Sequence, residues 1–162
     1  MFLTGNYEHS VDTKNRIAIP SSFRTAIQRE MGAAEGDPLA FYVNPSHEPG
    51  TLRVFPERSF DEYARQIDSS GMPVDQLVVY KEAFFSHSFR VESDRQGRIR
   101  LPDRLVELVA LGRDVAVVGN GAHMKLMPLE RWGQRQAGLD IGRVFVEPDQ
   151  VIRASGPLGI TD

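Results

Sequence analysis

The sequence predicts a mainly β protein with short helices, a β/α mixture assembled as a tandem repeat with pseudo-two-fold character. Two observations carry this. First, Asp12-Thr-Lys-Asn-Arg16-Ile17-Ala-Ile19-Pro20 matches Asp94-Arg-Gln-Gly-Arg98-Ile99-Arg-Leu101-Pro102, with Asp, Arg, Ile and Pro in register. Second, a later landmark repeats in the same order: Leu52-Arg-Val54-Phe-Pro56 and then Phe60, against Met124-Lys-Leu126-Met-Pro128 and then Trp132. The second landmark follows sooner in the second half. The extra residues of the first half therefore fall in Gly32–Pro38 and Asn44–Gly50, both rich in turn formers.

Each half reads in the same sequence of elements. Tyr7, His9 and Val11 alternate with polar residues, and so do Ile17 and Ile19 beyond the shared motif, giving strand, tight loop, strand. In the second half Phe89 and Val91 precede the loop, and Ile99 and Leu101 follow it. The aliphatic face then turns inward and Arg98 and Arg100 turn outward. Asn15 and Gly97 hold the same loop position, and these two residue types tolerate positive φ most readily. Asp12 and Asp94 open the loop, where a carboxylate accepts bonds from N–H groups two or three residues on.

Pro20 and Pro102 end the second strand. Ser21 or Ser22 is the expected N-cap of a short helix carrying Phe23 and Ile27, and Asp103 that of one carrying Leu105, Leu108 and Val109. Leu39–Val43 and Val115–Val118 are strand candidates that turn back into the Leu52 and Met124 strands, with Asn120-Gly121 a hairpin signal for the latter. After Pro56, Phe60, Ala64 and Ile67 share one helical face, and the stretch around Trp132 behaves alike; Phe60 and Trp132 read as packing anchors. Between the halves Leu77, Val78, Lys81, Phe84 and Phe85 stand at helical spacing. Beyond Gly138 a short strand at Val144–Val146 is the most that is expected, followed by a frayed tail. The expected organisation is a unit at 1–72, a linking helix at 73–86, a second unit at 87–141 and a C-terminal tail at 142–162.

Charge and composition exclude several function classes. Lys and Arg number 19 against 22 Asp and Glu, a net charge of −3, so no uniformly basic coat exists and any nucleic-acid site is local. Cysteine is absent, which removes disulfides, thiolate zinc sites and a cysteine nucleophile and fits a reducing cytoplasm. The longest charge-free runs, 38–47 and 115–124, fall short of the roughly 20 apolar residues of a membrane helix. The N-terminus does not read as a secretory signal. His9, His47, His87 and His123 are isolated, so no metal site is expected. Ser86-His87 are adjacent, and neighbours on a helix are expected to point in different directions; no nucleophile elbow is present. The 14 glycines form neither a Walker loop nor a dinucleotide fingerprint. The reading is of a protein that is not an enzyme, with no cofactor, no membrane and no small-molecule ligand.

What remains is the Asp-x-x-x-Arg loop, which occurs twice. A lone exposed pair of this kind would be a turn-stabilising contact worth roughly 0–1 kcal/mol. Here positive charge gathers around both copies: Lys14, Arg16 and Arg24 in the first, and Arg90, Arg95, Arg98, Arg100 and Arg104 in the second, against Glu92, Asp94 and Asp103. A guanidinium fork donates two parallel bonds to a phosphate or to a guanine edge, and a two-stranded ribbon fits the major groove.

These residues resemble a known family. Met-Phe-x-x-Gly5, the two loops Asp12-x-x-x-Arg16 and Asp94-x-x-x-Arg98, each followed by Ile-x-Ile/Leu-Pro, and Phe84-Phe85-Ser86 are together similar to MraZ, bacterial transcriptional regulators built from two SpoVT-AbrB domains. The resemblance covers residues 1 to about 140. It implies a tandem AbrB-like double-split, swapped-hairpin β-barrel, in which two halves of one chain imitate a dimer. It also implies a ring-shaped homo-oligomer, cytoplasmic and nucleoid-associated, that binds double-stranded promoter DNA at short G-rich direct repeats upstream of the division and cell wall gene cluster. Carried over by position, Arg16 matches the DNA-contacting arginine, Arg98 its partner in the second loop and Lys14 the preceding lysine. Gln96 stands at the lysine position of the second loop, which leaves the relative weight of the two loops open, and Asn15 stands where the family usually has glycine. Lys14, Asn15, Arg16, Arg95, Gln96 and Arg98 are thus the expected DNA-binding set, with Asp12, Asp94 and Gly97 shaping the loops. An alternative is an antitoxin-like or scaffold module that holds a partner protein through the C-terminal tail, since the same barrel occurs in antitoxins.

Overall fold

The computed structural model describes residues 1–155, and in it the sequence repeat becomes a repeat of elements. The first half contains β1 (Asn6–Ser10), β2 (Arg16–Ala18), α1 (Ser21–Met31), β3 (Ala40–Pro45), β4 (Leu52–Pro56) and α2 (Glu57–Ile67). After α3 (Val74–Ser86) the order returns as β5 (Phe89–Glu92), β6 (Arg98–Arg100), α4 (Asp103–Val109), β7 (Asp114–Gly119), β8 (Met124–Pro128) and α5 (Leu129–Ala137). A last helix, α6, spans Ile141–Ser155. The predicted β/α mixture is present, with the linking helix where its periodicity placed it.

Strand pairing is exchanged between the halves. Six antiparallel strands run in the order β1-β7-β8-β4-β3-β5, and β2 and β6 form a separate two-stranded ribbon. The first strand of each half therefore pairs with the third strand of the other, β1 with β7 and β5 with β3. The strand–loop–strand pattern forms its tight turn, but β1 and β2 diverge beyond it to different partners. The ladder runs open from β1 to β5, so hydrogen bonding alone does not close the barrel that the resemblance implies.

The main core draws on both halves, with Phe23, Phe41, Leu52, Leu105, Val117 and Leu126 all in one buried cluster. Ile17 and Ile99, 1% and 0% exposed, face each other at the centre of the ribbon. A second cluster sets Phe55, Phe60, Ile67 and Phe84 beneath α2 and α3, and Phe60 stacks on Tyr42 with ring centres 3.9 Å apart.

Two local expectations are corrected. The caps of α1 and α4 are Pro20 and Pro102, at φ −51° and −57°, with no side-chain cap bond. Proline's fixed φ already suits the helix entrance, so no side chain is needed there: the Ser22 hydroxyl bonds Tyr7 and the Asp103 carboxylate bonds Asn15. Val144–Val146, expected as a short strand, lies within α6 instead. Ile141, Val144 and Phe145 recur at helical spacing, a period that a short apolar run conceals.

Met1–Leu129 is one compact unit, and a second begins at Glu130. Neither α5 nor α6 buries a residue fully, so Trp132 is half-buried rather than a core anchor. The expected tail beyond Ser155 lies outside the described residues. No helix among the described residues is long and apolar enough to cross a membrane.

Candidate nucleic-acid interface

Both Asp-x-x-x-Arg loops are built by the same bonds. In the first, Asp12 Oδ1 accepts from the backbone N–H of Lys14 at 2.9 Å and of Arg16 at 2.8 Å, and Oδ2 accepts from Arg16 Nε at 2.7 Å. In the second, Asp94 Oδ1 accepts from the N–H of Gln96 and of Arg98, each at 2.9 Å, and Oδ2 from Arg98 Nε at 3.0 Å. Backbone bonds close each turn, Asn15 N–H to Asp12 and Gly97 N–H to Asp94, both at 3.0 Å. Asn15 and Gly97 take the positive φ the turn requires, 57° and 76°. Each arginine is tethered through Nε, and among the described residues its two Nη groups have no hydrogen-bond partner.

The N–H of Arg16, foremost, then its side chain and the N–H of Lys14 hold the Asp12 carboxyl below its ordinary value of 3.8; Arg98 and Gln96 do the same for Asp94. A carboxyl with a lowered folded value stabilises its loop fully above the ordinary value and loses that effect as pH falls through the lowered one. Protection of the Lys14 and Arg16 amides against hydrogen exchange is therefore expected to persist below the ordinary value of 3.8 and to be lost only as pH falls through the lowered one. Asp12→Ala is expected to raise exchange at those amides by about tenfold or more at neutral pH, leaving the Gln96 and Arg98 amides unchanged.

The ribbon gives the loops a common face. Its register sets Arg16 opposite Arg100, Ile17 opposite Ile99 and Ala18 opposite Arg98. Side chains alternate along a strand and opposed residues share a side, so the two isoleucines point into the core while Arg16, Arg98 and Arg100 share the other face. Ribbon strands of three residues keep these within two rises of about 3.3 Å. Lys14, Arg95 and Gln96 stand exposed at the loop tips.

Antiparallel pairing also sets each loop against the other half. Leu101 N–H bonds to the Asn15 carbonyl at 2.7 Å, and Ile19 N–H to the Gly97 carbonyl at 2.9 Å. Asn15 Nδ2 donates to Asp103 Oδ1 at 2.7 Å, while Arg24 of α1 lies against Gly97. The sequence grouped Arg24 with the first loop; the fold sets it at the second.

Other arginines leave the cluster. Arg90 is paired with Glu57 at 2.9 Å and Glu92 at 2.8 Å, which raises its pKa further, and Arg104 covers the Phe89 ring. Arg100, which alternation with Ile99 turns outward in the sequence but which the expected DNA-binding set omits, stands opposite Arg16 in the ribbon. Arg24 had no sequence signal, because its neighbour is 73 positions away at Gly97.

Known proteins share this sequence pattern. A family described as "MraZ protein, putative antitoxin-like" matches residues 2–35 and 84–143. The chain is 34% identical over 117 residues to a protein of Gluconacetobacter diazotrophicus named transcriptional regulator MraZ, covering 72% of each chain. Proteins of the same name from Roseiflexus castenholzii and Mycoplasmoides gallisepticum are 31% and 30% identical. The matches cover 86% and 83% of this chain, and 90% and 86% of those relatives.

Proposed function

The chain belongs to the MraZ family, and on that premise we propose that it is a sequence-specific DNA-binding transcriptional regulator that acts through its two arginine loops. The observation that carries this reading is the shared face of Arg16, Arg98 and Arg100, on a rigid ribbon with the isoleucines buried behind it. An arginine held at Nε loses little freedom when its Nη groups meet an acceptor. Two such forks suit guanine O6 and N7 in a major groove about 12 Å wide. Lys14 and Arg95 at the loop tips meet the flanking phosphates, and Asn15 and Gln96 supply amide groups beside them. Asp12, Asp94 and Gly97 hold the loop shape and take no part in contact.

The target in this reading is short G-rich direct repeats in promoter DNA upstream of the division and cell wall gene cluster. The protein is a homo-oligomeric ring in the cytoplasm, associated with the nucleoid, with SpoVT-AbrB units at 1–72 and 87–141. It binds and does not catalyse. A single ribbon touches few phosphates, so repetition matters: linked copies on repeated sites gain on the order of 10² to 10⁴ in avidity.

The test is fluorescence anisotropy on the DNA upstream of its own gene across a range of salt concentrations. The logarithm of the binding constant is expected to fall linearly with the logarithm of salt, with a slope of about −0.9 for each phosphate neutralised. A flat response between low and physiological salt would overturn the arginine-loop reading and favour the antitoxin-like alternative.

A further inference from the structure

We infer that Arg24 is a DNA phosphate contact belonging to the second loop, supplied across the fold from the first half; this rests on the DNA-binding reading above. The two loops are equivalent in their internal bonds but opposite in what braces them. At the first, the brace is an acid: Asp103 accepts from Asn15 Nδ2. At the second it is a base. Arg24 Nε donates to the Ile19 carbonyl at 3.1 Å, and its guanidinium lies on Gly97. A Cβ built on Gly97 would stand 2.5 Å from Arg24 Nη1 and 2.6 Å from Cζ, closer than real Cβ contacts come.

That contact explains a glycine that backbone conformation alone does not. Asn15 occupies the same loop position at φ 57°, so the turn itself accepts a side chain. What Gly97 adds is room for Arg24. The charge also falls at a position the loop itself leaves neutral. Lys14 of the first loop corresponds to Gln96 in the second, where Arg95 is the tip cation and Arg24 adds another from the first half. Arg24 makes no ion pair among the described residues. Its side chain borders a groove of about 330 Å³ with Arg95 and Asp94. Two further carboxylates line the groove, Glu35, which is exposed, and Asp37, which accepts from the Ala34 N–H at 3.0 Å, so the phosphate sits at the Arg24–Arg95 end. The ligand this arrangement takes is a backbone phosphate next to the base step read by Arg98.

The experiment uses the full chain and the promoter fragment, with Arg24→Gln, Arg24→Lys, Gly97→Asn and Arg16→Ala measured in parallel across salt. Arg24→Gln is expected to weaken binding severalfold and to reduce the salt slope by about 0.9, with unchanged melting temperature and oligomeric state. Arg24→Lys is expected to keep the slope of the parent protein. Gly97→Asn, which tolerates the same φ but displaces the guanidinium, is expected to reproduce the loss seen with Arg24→Gln. A parental slope in Arg24→Gln or in Gly97→Asn overturns the inference, as does an equal loss in the Gln and Lys variants without a change of slope, the mark of a purely structural brace. If Arg16→Ala loses DNA while Arg24→Gln does not, this inference alone fails. If Arg16→Ala also binds as the parent does, the arginine-loop reading on which this inference rests fails with it.

Discussion

Replacing Arg16 and Arg98 together by alanine is expected to weaken binding to the promoter fragment by about 10²-fold or more, with circular dichroism and oligomeric state unchanged. Each bidentate arginine–guanine contact is worth about 1–3 kcal/mol of discrimination, and the two act on one face of one ribbon. The loops outlast the loss of the side chains because most of their bonds do not involve them. Asp12 still accepts from the backbone N–H of Lys14 and of residue 16, and Asp94 from those of Gln96 and of residue 98. The single variants resolve the loops: Arg98→Ala retains Arg24 and Arg95 nearby, whereas Arg16→Ala retains Lys14 and Arg100. Undiminished binding by the double variant, in anisotropy or gel shift, would move the interface to another face of the protein.

The largest stability effect is expected behind that same face. Ile17→Ala or Ile99→Ala removes a fully buried side chain from the centre of the ribbon, a change that typically destabilises by about 2–5 kcal/mol. Set against a typical unfolding free energy of about 5–15 kcal/mol, either variant loses a large part of the margin. The two residues are direct register partners, so the double variant is expected to lose less than the sum of the singles. Urea denaturation followed by circular dichroism measures all three. A shift in midpoint equivalent to less than about 1 kcal/mol in the singles would mean that the cavity collapses and the ribbon is not anchored through these residues.

Much of the candidate site was legible in the sequence because its determinants are local. The carboxylate of Asp12 bonds locally, though to residues two and four positions on rather than two or three, Asn15 and Gly97 advertise positive φ, and the Ile-x-Ile and Ile-x-Leu alternation fixes which way the arginines point. Helix α3 was legible for the same reason. Strand partners were not, since a period of two states which face is buried but not which strand lies alongside; β1 pairs with β7, more than a hundred residues away. The charge count also misled for Arg90, whose partner Glu57 comes from the other half of the chain. Asp103 read as a cap because its spacing suited one, yet Pro102 already fixed the helix entrance and the carboxylate went to Asn15.

Covalent linkage of the two halves has a consequence for polarity. A dimer of identical half-chains must present two identical corners related by a two-fold axis, the symmetry of a palindrome. Joined through α3, the corners are released from that constraint, and here they have diverged: lysine with an aspartate at one, glutamine with an arginine at the other. Such a molecule has a left and a right. Under the proposed function it reads a duplex in one direction, which is what a head-to-tail array of sites asks of the protein that follows it.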